Sequence, residues 1–129
     1  MGILDSIFGK TNKEREHSNV NWIPLNSLDQ INQIKVQSKS ETVLIFKHST
    51  RCGISSGVLR RFEKMFDRSM NNIKVYYLDL LKYRDISNEI AYTFQVIHQS
   101  PQLLVVRNET SVAHASHYDI TNVNLQKFL

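Results

Sequence analysis

The hydrophobic pattern changes period several times along the chain, and each change predicts an element. Val43-Leu44-Ile45-Phe46 is continuously apolar and rich in β-formers, as a strand buried on both faces of a parallel sheet would be. After a polar turn, Ile54, Val58, Phe62, Met65 and Phe66 recur at helical spacing, with Leu59 widening the stripe and Arg60, Arg61, Glu63 and Lys64 on the other face. This predicts a helix from about Gly53 to Ser69. Gly57 costs such a helix roughly 1 kcal/mol relative to alanine, and close approach to the sheet would be a reason for it. Residues 73–80, IKVYYLDL, read as a second buried strand, and Leu103-Leu104-Val105-Val106 as a third.

The flanking segments follow. Trp22-Ile23-Pro24-Leu25 suits a short edge strand, where proline is tolerated. Ser27 with Gln30 has capping-box spacing before a helix through Leu28, Ile31 and Ile34 to about Ser38. Asp85 or Ser87 is placed to cap a helix carrying Ile90, Ala91 and Phe94. Asn108-Glu109-Thr110 is a tight connection, so residues 111–116 fold back as a hairpin partner. Thr121 then caps a last helix bearing Val123, Leu125, Phe128 and Leu129. The resulting order, β-α-β-α-β-α-β-β-α, predicts an α/β domain over residues 20–129. Right-handed crossovers make the first strands parallel, and the final hairpin makes the five-stranded sheet mixed. Residues 1–19 read as an appendage. Ile3, Leu4, Ile7 and Phe8 could form a short amphipathic turn ahead of a polar linker, and Met1-Gly2 with Ser6 fits a short myristoylation pattern.

Composition adds limits. A hydrophobic content of 41% over 129 residues suits one folded domain. No apolar run approaches the ~18 residues of a membrane span, and residues 1–10 lack a secretory pattern. One cysteine cannot make an internal disulfide, so a cytoplasmic protein is expected. The net charge of +4 favours anionic partners. No basic block or binding motif indicates nucleic acid. The five histidines form no metal motif; His114 and His117, three apart on a strand, would face opposite ways.

The chemistry concentrates on that one cysteine. Cys52 lies on the turn between the apolar run and the helix predicted from Gly53. A helix start at Gly53 offers unpaired N–H groups and about half a positive charge. Arg51, Lys47 and His48 add cationic potential, and Ser55 can present its hydroxyl or its N–H to the sulfur. These groups favour the thiolate, which is the nucleophilic form. The alternative is a buried, inert cysteine, and the polar, basic neighbours argue against it.

These features together resemble a thioredoxin-like fold, with Cys52-Gly53-Ile54-Ser55 in the place of the redox motif and a serine where a dithiol enzyme has its second cysteine. Lys47-His48-Ser49-Thr50, Ser87-Asn88-Glu89-Ile90-Ala91 and His98-Gln99-Ser100-Pro101-Gln102 resemble the monothiol bacilliredoxins, as does Ser116-His117 with Ile120-Thr121. Many members have Thr-Cys-Pro-Ile-Ser where this chain has Arg51-Cys52-Gly53-Ile54-Ser55. The resemblance implies a monothiol oxidoreductase that removes bacillithiol from S-bacillithiolated proteins through a mixed disulfide on Cys52. Bacillithiol would be a co-substrate, with no other cofactor and no metal. It further implies a cis Ser100–Pro101 bond opposite Cys52, with a backbone edge at Ser100 for the substrate. Arg51 and Gly53, and the start of the last helix at Thr121, would hold the anionic part of the small thiol. Two other readings stand beside this one. The CGIS spelling also resembles the CGFS glutaredoxins, which carry iron–sulfur clusters. Thioredoxin-like domains can also serve as binding modules without catalysis.

Overall fold

The computed structural model describes residues 18–129. Five strands form one sheet: β1 (Asn21–Pro24), β2 (Val43–His48), β3 (Lys74–Asp79), β4 (Gln102–Arg107) and β5 (Thr110–Ser116). Three α-helices connect them: α1 (Asp29–Gln37), α2 (Gly53–Lys64) and α3 (Arg84–Phe94). Across the sheet the order is β1-β3-β2-β4-β5. β3 pairs parallel with both β1 and β2, while β4 pairs antiparallel with β2 and β5. The expected mixed sheet is therefore present, and the apolar 43–46 run forms its central strand.

The order fixes the layers. The chain steps from β1 over β3 to β2, then back from β2 to β3. With one handedness for both crossovers, α1 and α2 fall on opposite faces. The packing agrees. Ile31 and Ile34 of α1 and Ile86, Ile90 and Phe94 of α3 cover Val43, Ile45, Tyr76 and Leu78. Val58, Leu59 and Phe62 of α2 cover Leu44, Phe46, Val75 and Leu103. Along β2, odd positions thus face α1 and α3, and even positions face α2, as strand periodicity requires.

Trp22, Phe46, Phe62 and Tyr77 form an aromatic cluster beneath α2. Ring centroids are 5.0 Å apart for Phe46–Phe62 and 5.9 Å for Trp22–Phe46, the latter edge-on. The Trp22 indole donates to Glu63 at 2.8 Å, linking the edge strand to α2. Ser18 donates to Glu63 and Asn19 to the Phe66 carbonyl. The predicted linker therefore joins the domain by Ser18. The proposed amphipathic turn at Ile3, Leu4, Ile7 and Phe8 lies outside the described residues.

Several boundaries differ from the sequence reading. α2 stops at Lys64 because Asp67 adopts an extended conformation and its side chain accepts from the Ser69 N–H, starting a separate 3-10 turn at Arg68–Met70. Gln30 closes half of the predicted capping box, accepting from the Ser27 N–H at 3.0 Å, but α1 begins after Leu28 with no side-chain cap. Neither Asp85 nor Ser87 caps α3, whose first residue follows Tyr83. The predicted last helix is absent. Two 3-10 turns, His117–Asn122 and Leu125–Phe128, replace it, separated where Val123 is extended. Ile120 and Leu125 still bury their side chains against the α2 face.

Gly57 is not held by a close approach, since a Cβ built there meets nothing within 4 Å. Gly57→Ala therefore removes only the helical cost of glycine, and is expected to raise stability by about 0.5–1 kcal/mol. Urea unfolding of the two proteins measures this; a destabilised variant would mean that the space is not free.

Candidate functional site

β2 and β3 end, and β4 begins, at the same end of the sheet. β2 reaches His48 opposite Asp79 of β3, and Lys47 lies opposite Gln102 of β4. The turn after β2 and the segment before β4 therefore lie at the same end of the sheet. The first contains Arg51 and Cys52, the second Ser100 and Pro101. Openings beyond the carboxyl ends of parallel strands, where connections diverge, are common ligand sites in α/β sheets.

Cys52 is the N-cap of α2, with φ −103° and ψ 119°. Its N–H donates to the Ser49 carbonyl at 3.2 Å, and its own carbonyl accepts from Ser56 at 3.2 Å. The turn is closed, and the first intrahelical bond is made through the cysteine itself. The N–H groups of Gly53, Ile54 and Ser55 have no partner within the helix. The Cys52 side chain makes no capping hydrogen bond, and no acidic residue lies in the first turn. The sulfur's residue is partly exposed, whereas Arg51, Gly53 and Ile54 are exposed. A partly exposed cysteine therefore stands beside uncompensated donors.

Ser55 is buried and turned away from solvent. Its Oγ accepts from the Ser49 N–H at 3.1 Å and lies 2.7 Å from His48 Nδ1. Its hydroxyl thus ties the Cys52 turn to the end of β2, rather than bonding to the sulfur as the sequence suggested. His48 is also buried, on the α2 face, with its ring 5.6 Å from that of Tyr77. It meets the first turn of α2 through Ser55.

Lys47 differs from the sequence reading. It points to the opposite face of the sheet and is fully buried. Its Nζ donates to the Ser87 carbonyl at 3.2 Å and lies 3.3 Å from His98 Nδ1. No carboxylate pairs with it among the described residues. An ammonium can only donate, so His98 accepts at Nδ1 and carries its proton on Nε2. Burial lowers the Lys47 pKa to about 8. Burial, then Lys47, then Arg84 lower that of His98. Lys47 is thus no direct neighbour of the sulfur, and it forms a second cluster with His98 and Ser87. Arg84 itself is exposed.

The Ser100–Pro101 bond is cis, as expected from the resemblance. Pro101 is buried, and its carbonyl accepts from His117 at 2.9 Å. The N–H and carbonyl of Ser100 have no hydrogen bond among the described residues, leaving a short free backbone edge. Thr121 lies within a 3-10 turn and donates to the Tyr118 carbonyl at 2.8 Å. With no helix starting there, the basis for an anion site at Thr121 is gone. His117 leaves the strand with φ 56°, so the predicted strand relation to His114 does not hold.

Residues 23–125 match the monothiol bacilliredoxin family, BrxC. The chain belongs to this family. A solved protein with a thioredoxin fold is 31% identical, with a TM-score of 0.70 over 82% of this chain and 91% of that one. The thioredoxin of Malassezia sympodialis (20% identity, TM-score 0.65, 86% of this chain and 88% of that one) shares the fold. So does that of Trypanosoma brucei brucei (16%, 0.60, 81% and 85%). The fold is thioredoxin-like, and membership of the bacilliredoxin family makes this a thiol redox protein with one cysteine. Among the described residues no helix is long and apolar enough to cross a membrane.

Sequence reasoning missed Ser87, Ser49 and Gln102 as parts of these networks. One signal was available: strand alternation places Lys47 and His48 on opposite faces.

The buried lysine predicts a pH effect. Its pKa is about 8 folded and 10.5 unfolded. Between these values the unfolded chain holds a proton that the folded chain lacks, so stability rises with pH, by about 3 kcal/mol in all. Below about pH 8 the full cost of the buried charge is present. The difference in urea stability between wild type and Lys47→Met should therefore shift by this amount from about pH 8 to pH 10.5. Parallel profiles would show that Lys47 titrates normally.

Proposed function

We propose that the protein removes bacillithiol from S-bacillithiolated proteins in the cytoplasm. The observation that carries this reading is the placement of the chain's single cysteine at the uncapped start of α2. The free N–H groups of the first turn stand beside the attacking sulfur, and exposed Arg51 adds a positive charge next to it in the chain.

The Cys52 thiolate attacks the bacillithiol sulfur of the mixed disulfide. A new S–S bond forms to Cys52, the old one breaks, and the target leaves as its thiolate, to be protonated by water. Cys52 then carries bacillithiol. No second cysteine can displace it within the chain, so a second thiol, free or on another protein, attacks the adduct and returns Cys52 to its thiolate. Disulfides are exchanged without net oxidation of the protein.

Roles for the neighbouring groups follow from their positions. Arg51 and the exposed Gly53 N–H can receive the carboxylates of the malate carried by bacillithiol. The free edge of Ser100, before Pro101, can pair with the peptide-like part of the small thiol or with the target backbone. Ser55 acts indirectly: with His48 it fixes the Ser49 end of the turn that holds the sulfur. Bacillithiol enters as co-substrate, and the steps above call on no other cofactor.

Incubation of reduced protein with a bacillithiolated peptide tests the reading by mass spectrometry. One bacillithiol is expected on Cys52 with free peptide thiol, and Cys52→Ala should give neither. A peptide still modified after prolonged exposure to excess wild-type protein would overturn it.

A further inference from the structure

We propose that Lys47 is a positioning residue, which holds the 97–100 segment so that the Ser100 edge faces the Cys52 turn. The inference rests on the reading of Ser100 as a substrate edge and extends it to residues on the far face of the sheet.

A lysine is almost never fully buried without an anionic partner, because desolvation of the charge is costly. Lys47 is fully buried, and no carboxylate accompanies it among the described residues. Directly opposite on β4 stands Gln102, 1% exposed. Two long polar side chains thus occupy register partners on two inner strands. Both reach the same segment. Lys47 meets His98 Nδ1 at 3.3 Å, and Gln102 Nε2 donates to the Ile97 carbonyl at 2.9 Å. Ser87 adds its Oγ, 3.3 Å from His98 Nδ1, while its carbonyl accepts from Lys47. Residues 97–100 make no backbone–backbone hydrogen bond, so these side chains are their hydrogen-bonding tethers among the described residues.

The segment needs them. Ile97 is 86% exposed, and His98 and Gln99 are exposed as well, so apolar burial does little to fix it. Ser100 Oγ and Gln102 Oε1 are buried without partners, so polar groups are concentrated where the segment enters β4. An apolar pair at positions 47 and 102 would cost less to bury and would leave the segment loose. A free backbone edge binds best when already held in place, because ordering it on binding subtracts from affinity.

Two variants test this. Lys47→Met removes the tether from below, and His98→Phe removes it from the exposed side, with less demand on the core. Each should raise KM for a bacillithiolated peptide about tenfold, while kcat and the rate of Cys52 alkylation by iodoacetamide stay within about twofold of wild type. His98→Asn, which can still accept near the Nδ1 position, should restore most of the loss. Backbone NMR order parameters at Ile97, His98 and Gln99 should fall in Lys47→Met and His98→Phe from about 0.85 to below about 0.6. Unchanged order parameters in both variants would overturn the inference, as would alkylation slowed in parallel with turnover. If wild type leaves the peptide modified yet the order parameters fall, the tether stands and the bacillithiol reading is what fails.

Discussion

The packing of α2 against the even-numbered side of β2 decides where the sulfur goes. Val58 and Phe62 sit on Leu44 and Phe46, and Trp22 and Tyr77 complete the apolar layer. A helix held along its length cannot move its first turn independently. Its amide-rich end is therefore fixed beyond the carboxyl end of β2, and Cys52, as the N-cap, is fixed with it. Truncating a buried phenylalanine in such a layer typically costs about 3–5 kcal/mol. A loss on that scale at Phe62 would release the turn as well as weaken the fold.

The same strand organises a second polar site on its other face. Alternation sends His48 toward α2 and Lys47 toward α3. His48 joins Ser55 to the base of the Cys52 turn, while Lys47 joins α3 to the segment before β4. Two adjacent residues of β2 thus hydrogen-bond to two different segments at one end of the sheet, from opposite faces. The motif stretches at 47–50, 87–91 and 98–102 are far apart in sequence, and this geometry explains why they meet: β2 and β4 are neighbours, and α3 covers the face to which Lys47 points.

Much of this was legible in the sequence because strong, local signals carried it. The apolar run at 43–46 could be little other than a central strand, and the 3.6-residue stripe placed α2 with Cys52 at its start. The failures occurred where a short-range competitor outweighed the pattern. Asp67 and Ser69 form a local turn that ends α2 early. Asn122 and Asn124 flank an extended Val123, so apolar positions that suit a helix are served by two 3-10 turns instead. Lys47 departs from its expected place for another reason: nearness in sequence to Cys52 is not nearness in space, because the strand turns each successive side chain over. The hydrogen bonds of Ser87 and Gln102 depend on strand order and register, which no local pattern encodes.

Cys52, at the start of α2, is the residue on which the proposed exchange depends. The most direct measurement is the second-order rate of alkylation of Cys52 by iodoacetamide at neutral pH, compared with the same protein unfolded in urea. With the unpaired N–H groups of the first turn beside it, the sulfur is expected to react several-fold faster in the folded protein. That increase is the predicted result. A folded rate equal to or below the unfolded one would contradict the account, leaving a stable thioredoxin-like domain whose cysteine has no special reactivity.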